Sequence, residues 1–221
     1  MTVGPTRRRG ALLRGLPDLV VATERLELRL PRAESAGELV RLLRDPAIAR
    51  WTLHIPHPYT LGDARAWLRR ARARRRAGTD LSLQIVRGSD GALVGGIGLH
   101  HVSADPRSAE LGYWIGRPFR RRGYATEAAA ALVAFAFGRL GLHRVEGRVF
   151  PGNDRSSQVL RAIGFRHEGR LRGIVRKNGR FVDDVVFARL ATDAAPNRSR
   201  KATRPDPSRG RRRTVPRGGS A

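Results

Sequence analysis

The sequence predicts a mixed α/β (α+β) domain, a central sheet with helices on its faces. Three observations lead there. Short runs of period-two alternation trade places with longer runs of helical periodicity, in the order β-α-α-β-β-β-α-β-α-β-β. The dipeptide Asn178-Gly179 sits between two alternating runs, the strongest short hairpin signal a sequence offers. At 221 residues and 40% hydrophobic, the chain has material for one domain with a substantial core.

The elements follow in order. Leu26-Glu27-Leu28-Arg29-Leu30 alternates apolar and charged residues, as a half-buried strand does. Apolar positions recur at helical spacing from about 33 to 44 and stop before Asp45-Pro46. A second helix is expected over 61–77, with Trp67 and Leu68 inward and many Arg outward. Strands are expected over 81–86 and 93–101, joined by the turn Gly88-Ser89-Asp90-Gly91. Gly95-Gly96-x-Gly98 reads as a bulged strand, because no helix follows it as a phosphate loop requires. A strand at 110–115, a long helix over 126–140 and a strand at 144–150 come next. A helix over 154–163 closes on Gly164, a C′ residue, and a hairpin of strands 171–176 and 181–190 ends the domain.

The domain is therefore expected over 19–193, between two basic tails. Residues 1–18 and 194–221 are rich in Arg, Gly and Pro and poor in large apolar side chains, so both are expected to be disordered. The net charge is +25, carried by 42 Arg and two Lys (Lys177 and Lys201). Such a balance attracts nucleic acid or acidic partners, although Arg-rich, Lys-poor composition also follows from GC-rich codon usage. With no cysteine there is neither a disulfide framework nor a Cys-based zinc site. No apolar run approaches the roughly 18–20 residues of a membrane span, and the N-terminus makes a poor signal peptide. A soluble, cytoplasmic protein without a membrane partner is the expectation. His54 and His57, or His100 and His101, lack further ligands at suitable spacing, so no metal is expected.

Glu110 to Ala128 reads ELGYWIGRPFRRRGYATEA. A strand ends near Gly116, a basic loop containing Gly123 follows, and a long helix begins. That order places unpaired backbone N–H groups and the positive end of a helix dipole beyond a strand terminus, an anion site suited to pyrophosphate. Gly123 allows close backbone approach, Ala125 keeps the next turn small, and Arg120, Arg121 and Arg122 supply charge. A plain strand-to-helix loop with exposed arginines is the alternative.

Arg120-x-x-Gly123-x-Ala125 resembles the Q/R-x-x-G-x-G/A signature of the GNAT superfamily of N-acetyltransferases. Further stretches are similar to its RimJ/RimL-like branch, the ribosomal-protein N-terminal acetyltransferase type. They are Thr23-Glu24-Arg25-Leu26-x-Leu28-Arg29, Pro58-Tyr59-Thr60 before Trp67-Leu68, Glu110 to Ile115, Asn153-x-x-Ser156 and Gly164-Phe165. The resemblance covers roughly residues 20–191. It implies a mostly antiparallel sheet that splays open between the strands near 110–115 and 144–150, with acetyl-CoA as co-substrate in the wedge. Trp114 and Ile115 would pair with the pantetheine arm. The N–H groups of Arg121, Arg122, Gly123, Tyr124, Ala125 and Thr126 would hold the pyrophosphate, with Arg120 heading the same signature. Asn153 is carried over as a pantetheine contact and is equally readable as a helix cap.

Amine acetylation needs a neutral amine, stabilisation of an oxyanion and a proton for the departing thiolate. Glu110 is the candidate general base, with an ion-paired strand-end carboxylate as its alternative. The resemblance implies a hydroxyl near the CoA sulfur at Ser156, which makes it the candidate general acid; a helix cap is the alternative. The N–H of Ile115 is the expected oxyanion donor. The resemblance implies that Trp51, His54, His57 and Tyr59 stand in the wall of the acceptor site, with a packing loop as the alternative. The acceptor is read as a protein N-terminal amine, that of a ribosomal protein among them, with a small amine (aminoglycoside, polyamine or amino acid) as the alternative. A basic nucleic-acid-binding module is the non-enzymatic rival, and a tail that tethers the enzyme to ribosome or RNA combines the two. Monomer and homodimer both remain open.

Overall fold

A computed structural model describes Leu13, Leu16 and residues 18–193. The strands are β1 (Val20–Ala22), β2 (Leu26–Arg29), β3 (Leu81–Arg87), β4 (Leu93–Ala104), β5 (Arg107–Ile115), β6 (Arg144–Val149), β7 (Arg166–Lys177) and β8 (Arg180–Leu190). The helices are α1 (Ala36–Leu43), α2 (Pro46–Trp51), α3 (Leu61–Ala77), α4 (Tyr124–Gly138) and α5 (Asp154–Ala162). The strands form one sheet in the order β1-β2-β3-β4-β5-β6-β8-β7. Every neighbouring pair is antiparallel except β5–β6, which is parallel.

That one parallel pair organises the molecule. It holds only at Ser108↔Arg144, Ala109↔Val145 and Glu110↔Glu146, so beyond Glu110 the two strands diverge and the sheet opens as a wedge. On one face α4 buries Ala128, Ala129, Leu132, Val133 and Ala136 against Leu83, Ile97, Leu111 and Val145. Its apolar residues run right round the helix because α5 and the first strands cover what the sheet does not. On the other face α1 packs with α3 over Val86 and Leu93.

Local signals set the element ends. Thr60 and Asp63 form a reciprocal capping box at the start of α3, and Gly78 closes it in the left-handed conformation at φ 77°. Asn178 and Gly179, at φ 49° and 79°, make the β7–β8 turn. Helix α2 was not expected: Asp45-Pro46 reads as a terminator, yet Asp45 caps the new helix through the Ala47 N–H and Pro46 occupies its first turn. Two residues of the stretch expected as tail are in contact with the core: Leu13 is buried in it and Leu16 packs against it. The tail over 194–221 lies outside the described residues. No helix among those described is long and apolar enough to cross a membrane.

Candidate functional site

The loop expected to bind an anion lies at the mouth of the wedge. After β5 a 3-10 turn (Arg117–Phe119) leads to Arg120, and α4 starts at Tyr124, two residues earlier than expected. Gly123, at φ 78°, stands at the helix N-cap without a side-chain cap, and Arg121 is also left-handed at φ 62°. The first bond into α4 is donated by Glu127 to the Gly123 carbonyl. Among the described residues no acceptor meets the N–H groups of Arg121 to Thr126, so they and the helix dipole face outward together. Arg121 and Arg122 are exposed beside them.

Arg120 behaves differently from its neighbours. Its guanidinium pairs with Asp45 at 2.8 Å, and its Nε donates to the Ile115 carbonyl at 3.1 Å. It ties α2 to the end of β5, so its charge is already matched. The supporting residue that sequence reasoning did not single out is Arg25. Its guanidinium meets the Glu127 carboxylate at 2.6 Å, donates to the Arg122 carbonyl at 3.0 Å and lies over the Tyr124 ring. A Cβ added to Gly123 would come within 3.3 Å of it. Thr23 Oγ1 and the Arg25 N–H also donate to Glu127. Burial alone would raise the Glu127 pKa, but these donors and the Arg25 charge hold it below its ordinary value. Thr23 and Arg25 are thus a brace under the loop. Only their place in the motif hinted at this.

Strand β5 presents two edges. Gly116 donates to Val94, so the even-numbered residues of β5, Trp114 included, turn their backbone groups toward β4. Tyr113 and Ile115 turn theirs into the wedge, and the Ile115 carbonyl is the one Arg120 holds. The backbone edge expected at Trp114 and Ile115 is therefore formed by Tyr113 and Ile115. Trp114 contributes its side chain instead, laid on Gly96, where an added Cβ would meet the indole nitrogen at 2.5 Å.

Across the wedge, Asn153 caps α5 by accepting from the Ser156 N–H, which is its cap reading; its amide nitrogen has no partner among the described residues. Ser156 Oγ lies 2.9 Å from the hydroxyl of Tyr113, joining α5 to β5. Burial pushes the Tyr113 phenol up to about 12, so it keeps its proton at neutral pH.

The opposite face of β5 carries Glu110. Its carboxylate lies 3.7 Å from Arg148 Nε and 3.6 Å from His101 Nδ1. Arg148 also faces Glu146 at 3.6 Å and Asp184 at 4.0 Å, so one guanidinium stands among three carboxylates. Asp184 is buried, which raises its pKa against the Arg148 charge. Asp80, buried behind His100, is held well below the usual range: burial opposes its charge, but His100, Arg74 and the His101 N–H overcome that.

Four residues along β5, Trp114 closes a cavity of about 210 Å³. Leu39, Leu43, Ile55 and Trp67 make it apolar, while His54, Asp63 and Arg70 add polar edges. Asp63 is occupied by Thr60. Burial, then Arg74 and His100, lowers the His54 pKa, leaving the imidazole neutral near pH 7. Of the expected acceptor residues, His54 and Tyr59 line this cavity. Tyr59 is buried and its hydroxyl is pushed up to about 12 by that burial. His57 is exposed outside the lining, and Trp51 lies against Gly152 across the wedge mouth. Lys177 holds that crossing in place by donating to the carbonyls of Ala49 and Thr52. No group of three or more His, Cys, Asp or Glu among the described residues is arranged to hold a metal ion.

Residues 25–166 match the model of the acetyltransferase (GNAT) domain. The chain is 31% identical over 182 residues to a Bacillus licheniformis protein named uncharacterized N-acetyltransferase p20, covering 78% of this chain and 97% of that one. It is 31% identical over 88 residues to the [ribosomal protein uS5]-alanine N-acetyltransferase of Escherichia coli, covering 40% of this chain and 45% of the relative. Among solved structures, Mycobacterium smegmatis RimJ in complex with CoA-disulfide superposes with a TM-score of 0.70 at 28% identity, covering 77% of this chain and 85% of that one. The mostly antiparallel, open sheet flanked by helices is the same fold. The chain belongs to the GNAT family of acetyltransferases and is an N-acetyltransferase.

Proposed function

We propose that the chain transfers the acetyl group of acetyl-CoA to the N-terminal α-amine of a protein, with a ribosomal protein as the acceptor class. One observation carries the choice of a peptide over a small amine. The carboxylate cluster at Glu110 and the apolar cavity at Trp114 lie on one face of β5, four residues or about 13 Å apart. A short extended peptide spans that distance, amine at one end and a side chain in the cavity, whereas a compact amine meets only one of the two. The name of the Escherichia coli relative supports the same class.

The residues present fit acetyl-CoA. The outward N–H groups of Arg121 to Thr126, with Arg121 and Arg122 beside them, would hold the pyrophosphate. The wedge edge at Tyr113 and Ile115, with the Asn153 amide opposite, would hold the pantetheine arm. Bound acetyl-CoA supplies the acetyl group as an activated thioester. Glu110 accepts a proton from the incoming amine, directly or through water. An α-amine with a pKa near 8 needs less help there than a lysine at about 10.4. The Ile115 N–H faces the wedge and stabilises negative charge developing on an oxygen there. The Ser156 and Tyr113 hydroxyls lie 2.9 Å apart and either can be the donor; with Tyr113 as donor, the serine proton would be available to the departing sulfur.

A panel assay of thiol release tests the proposal. Peptides with a free N-terminus and an apolar side chain in the first residues should turn over, and the same peptides blocked at the α-amine should not. Turnover confined to aminoglycosides, polyamines or free amino acids would move the chain to the small-amine class.

A further inference from the structure

The two flanks of α3 differ. Its N-terminal half supplies Asp63, Trp67 and Arg70 to the acceptor cavity. Another flank carries Arg65, Arg69, Arg72 and Arg76, spaced i, i+4, i+7 and i+11, which places them in one stripe about 16.5 Å long. All four are exposed, and none makes an ion pair among the described residues. Like charges three and four residues apart each cost a helix about 0.2–0.5 kcal/mol, and here they follow one another without an acidic partner. The capping box and Gly78 secure the helix ends, so folding does not depend on this stripe.

Beside the stripe runs a groove of about 240 Å³ between the end of β2 and α3. Arg72, Arg75 and Arg76 form one wall and Leu30, Pro31 and Ser82 the other, with no carboxylate in its lining among the described residues. Arg75 is partly engaged by the Leu16 carbonyl, while Arg72 and Arg76 are not. From Arg65 to Ala77 the exposed positions are only Arg and Ala. Protein interfaces carry an apolar, often aromatic centre, whereas nucleic-acid interfaces are strongly positive and polar. One stacked strand places a phosphate about every 3.4 Å, a charge density that four guanidinium groups over the stripe's length approach.

We propose that this flank of α3 and its groove form a binding surface for the sugar-phosphate backbone of RNA, read by charge and not by sequence. The choice of RNA over DNA rests on the ribosomal-protein acceptor proposed above. Because α3 also lines the acceptor cavity, an RNA held on this flank would keep a protein assembled on it close to the acetylation site.

The test compares two full-length chains with the same basic tail, wild type and R65Q/R69Q/R72Q/R76Q. None of the four residues belongs to the proposed catalytic or cofactor site, and Gln keeps helix propensity. Binding of a labelled single-stranded RNA of about 20 nucleotides is followed by anisotropy from about 50 to about 200 mM salt. The variant should bind at least about tenfold more weakly, with a log–log salt slope shallower by up to about 3, since each lost contact removes about 0.7. Should the quadruple variant lose its thermal transition, R69Q/R72Q should show about half the slope change. Equal affinity and slope in variant and wild type would overturn the proposal. So would displacement of RNA by polyglutamate at equal charge, which would assign the surface to an acidic protein, or markedly tighter binding of duplex DNA. The assay contains no acetyl-CoA, so its failure and failure of the acceptor reading are separate results.

Discussion

Substitution of Gly123 by Ala, Gln and Glu separates the three things the loop asks of that position. Gly123 sits at φ 78°, where an L residue costs about 1–2 kcal/mol. For a folded part of this size that lowers Tm by about 2–4 °C per kcal/mol, so Gly123→Ala should lose about 2–8 °C. Its Cβ would lie 3.3 Å from the end of the Arg25 side chain, which is free enough to move aside. CoA affinity in Gly123→Ala should therefore change only a few-fold. Gly123→Gln adds bulk against the outward N–H groups. Gly123→Glu adds a negative charge to the same bulk. At about 4 Å and effective dielectrics between 20 and 80, one charge pair is worth about 1–4 kcal/mol. Calorimetry with CoA should thus show Gly123→Glu at least about five-fold weaker than Gly123→Gln, with the gap narrowing at high salt. If Glu and Gln bind alike, no phosphate lies there. If all three bind like wild type, the loop is not the CoA site.

Arg25→Ala removes the brace that joins Glu127, the Arg122 carbonyl and Tyr124. The side chain is 46% exposed, so solvent screening limits the ion pair to about 1 kcal/mol, and CoA should bind about five-fold more weakly. Arg25→Lys, which cannot fork, should recover only part of this, and equal binding by all three would remove Arg25 from the site. Asp80→Asn should destabilise the fold by about 1–3 kcal/mol at pH 7 in urea unfolding. The folded pKa of Asp80 is depressed, so its contribution is present above the unfolded value near 3.9 and lost as pH falls through the folded value. The difference between wild type and variant should shrink only below about pH 4; a gap that stays constant to lower pH would mean that shape, not charge, carries the effect. Glu110→Gln should lower kcat by about 10²–10⁴ with little change in CoA affinity, and Ser156→Ala should lower kcat less with Tyr113 intact. Wild-type kcat in both variants would leave the proton transfers to other groups.

Much of this was legible because local chemistry and tertiary structure agree. Helix α3 is bounded by Thr60 and Gly78, and the β7–β8 turn by Asn178-Gly179; each signal lies within a few residues of the boundary it sets. What was missed depended on distant partners. The ion pair of Arg120 joins it to Asp45, far away in sequence. Arg25 carries no role of its own in the sequence until α4 brings Glu127 to it. Strand β7 starts at Arg166, five residues before the expected Leu171, because an exposed edge strand rich in Arg carries no apolar alternation there. Leu13 lies within an Arg- and Gly-rich stretch whose composition hides a single buried anchor. Trp51, His54, His57 and Tyr59 are close in sequence, yet only His54 and Tyr59 reach the cavity, since α2 and the following loop send the other two elsewhere.

The most direct measurement uses one peptide with a free N-terminal α-amine, an apolar side chain in its first residues and an internal lysine. After incubation with acetyl-CoA, tandem mass spectrometry locates the acetyl group. Acetylation of the α-amine alone, lost in Glu110→Gln and Gly123→Glu, is the expected result. An acetyl group on the lysine, or a peptide left unmodified while a polyamine or aminoglycoside is consumed, would contradict it.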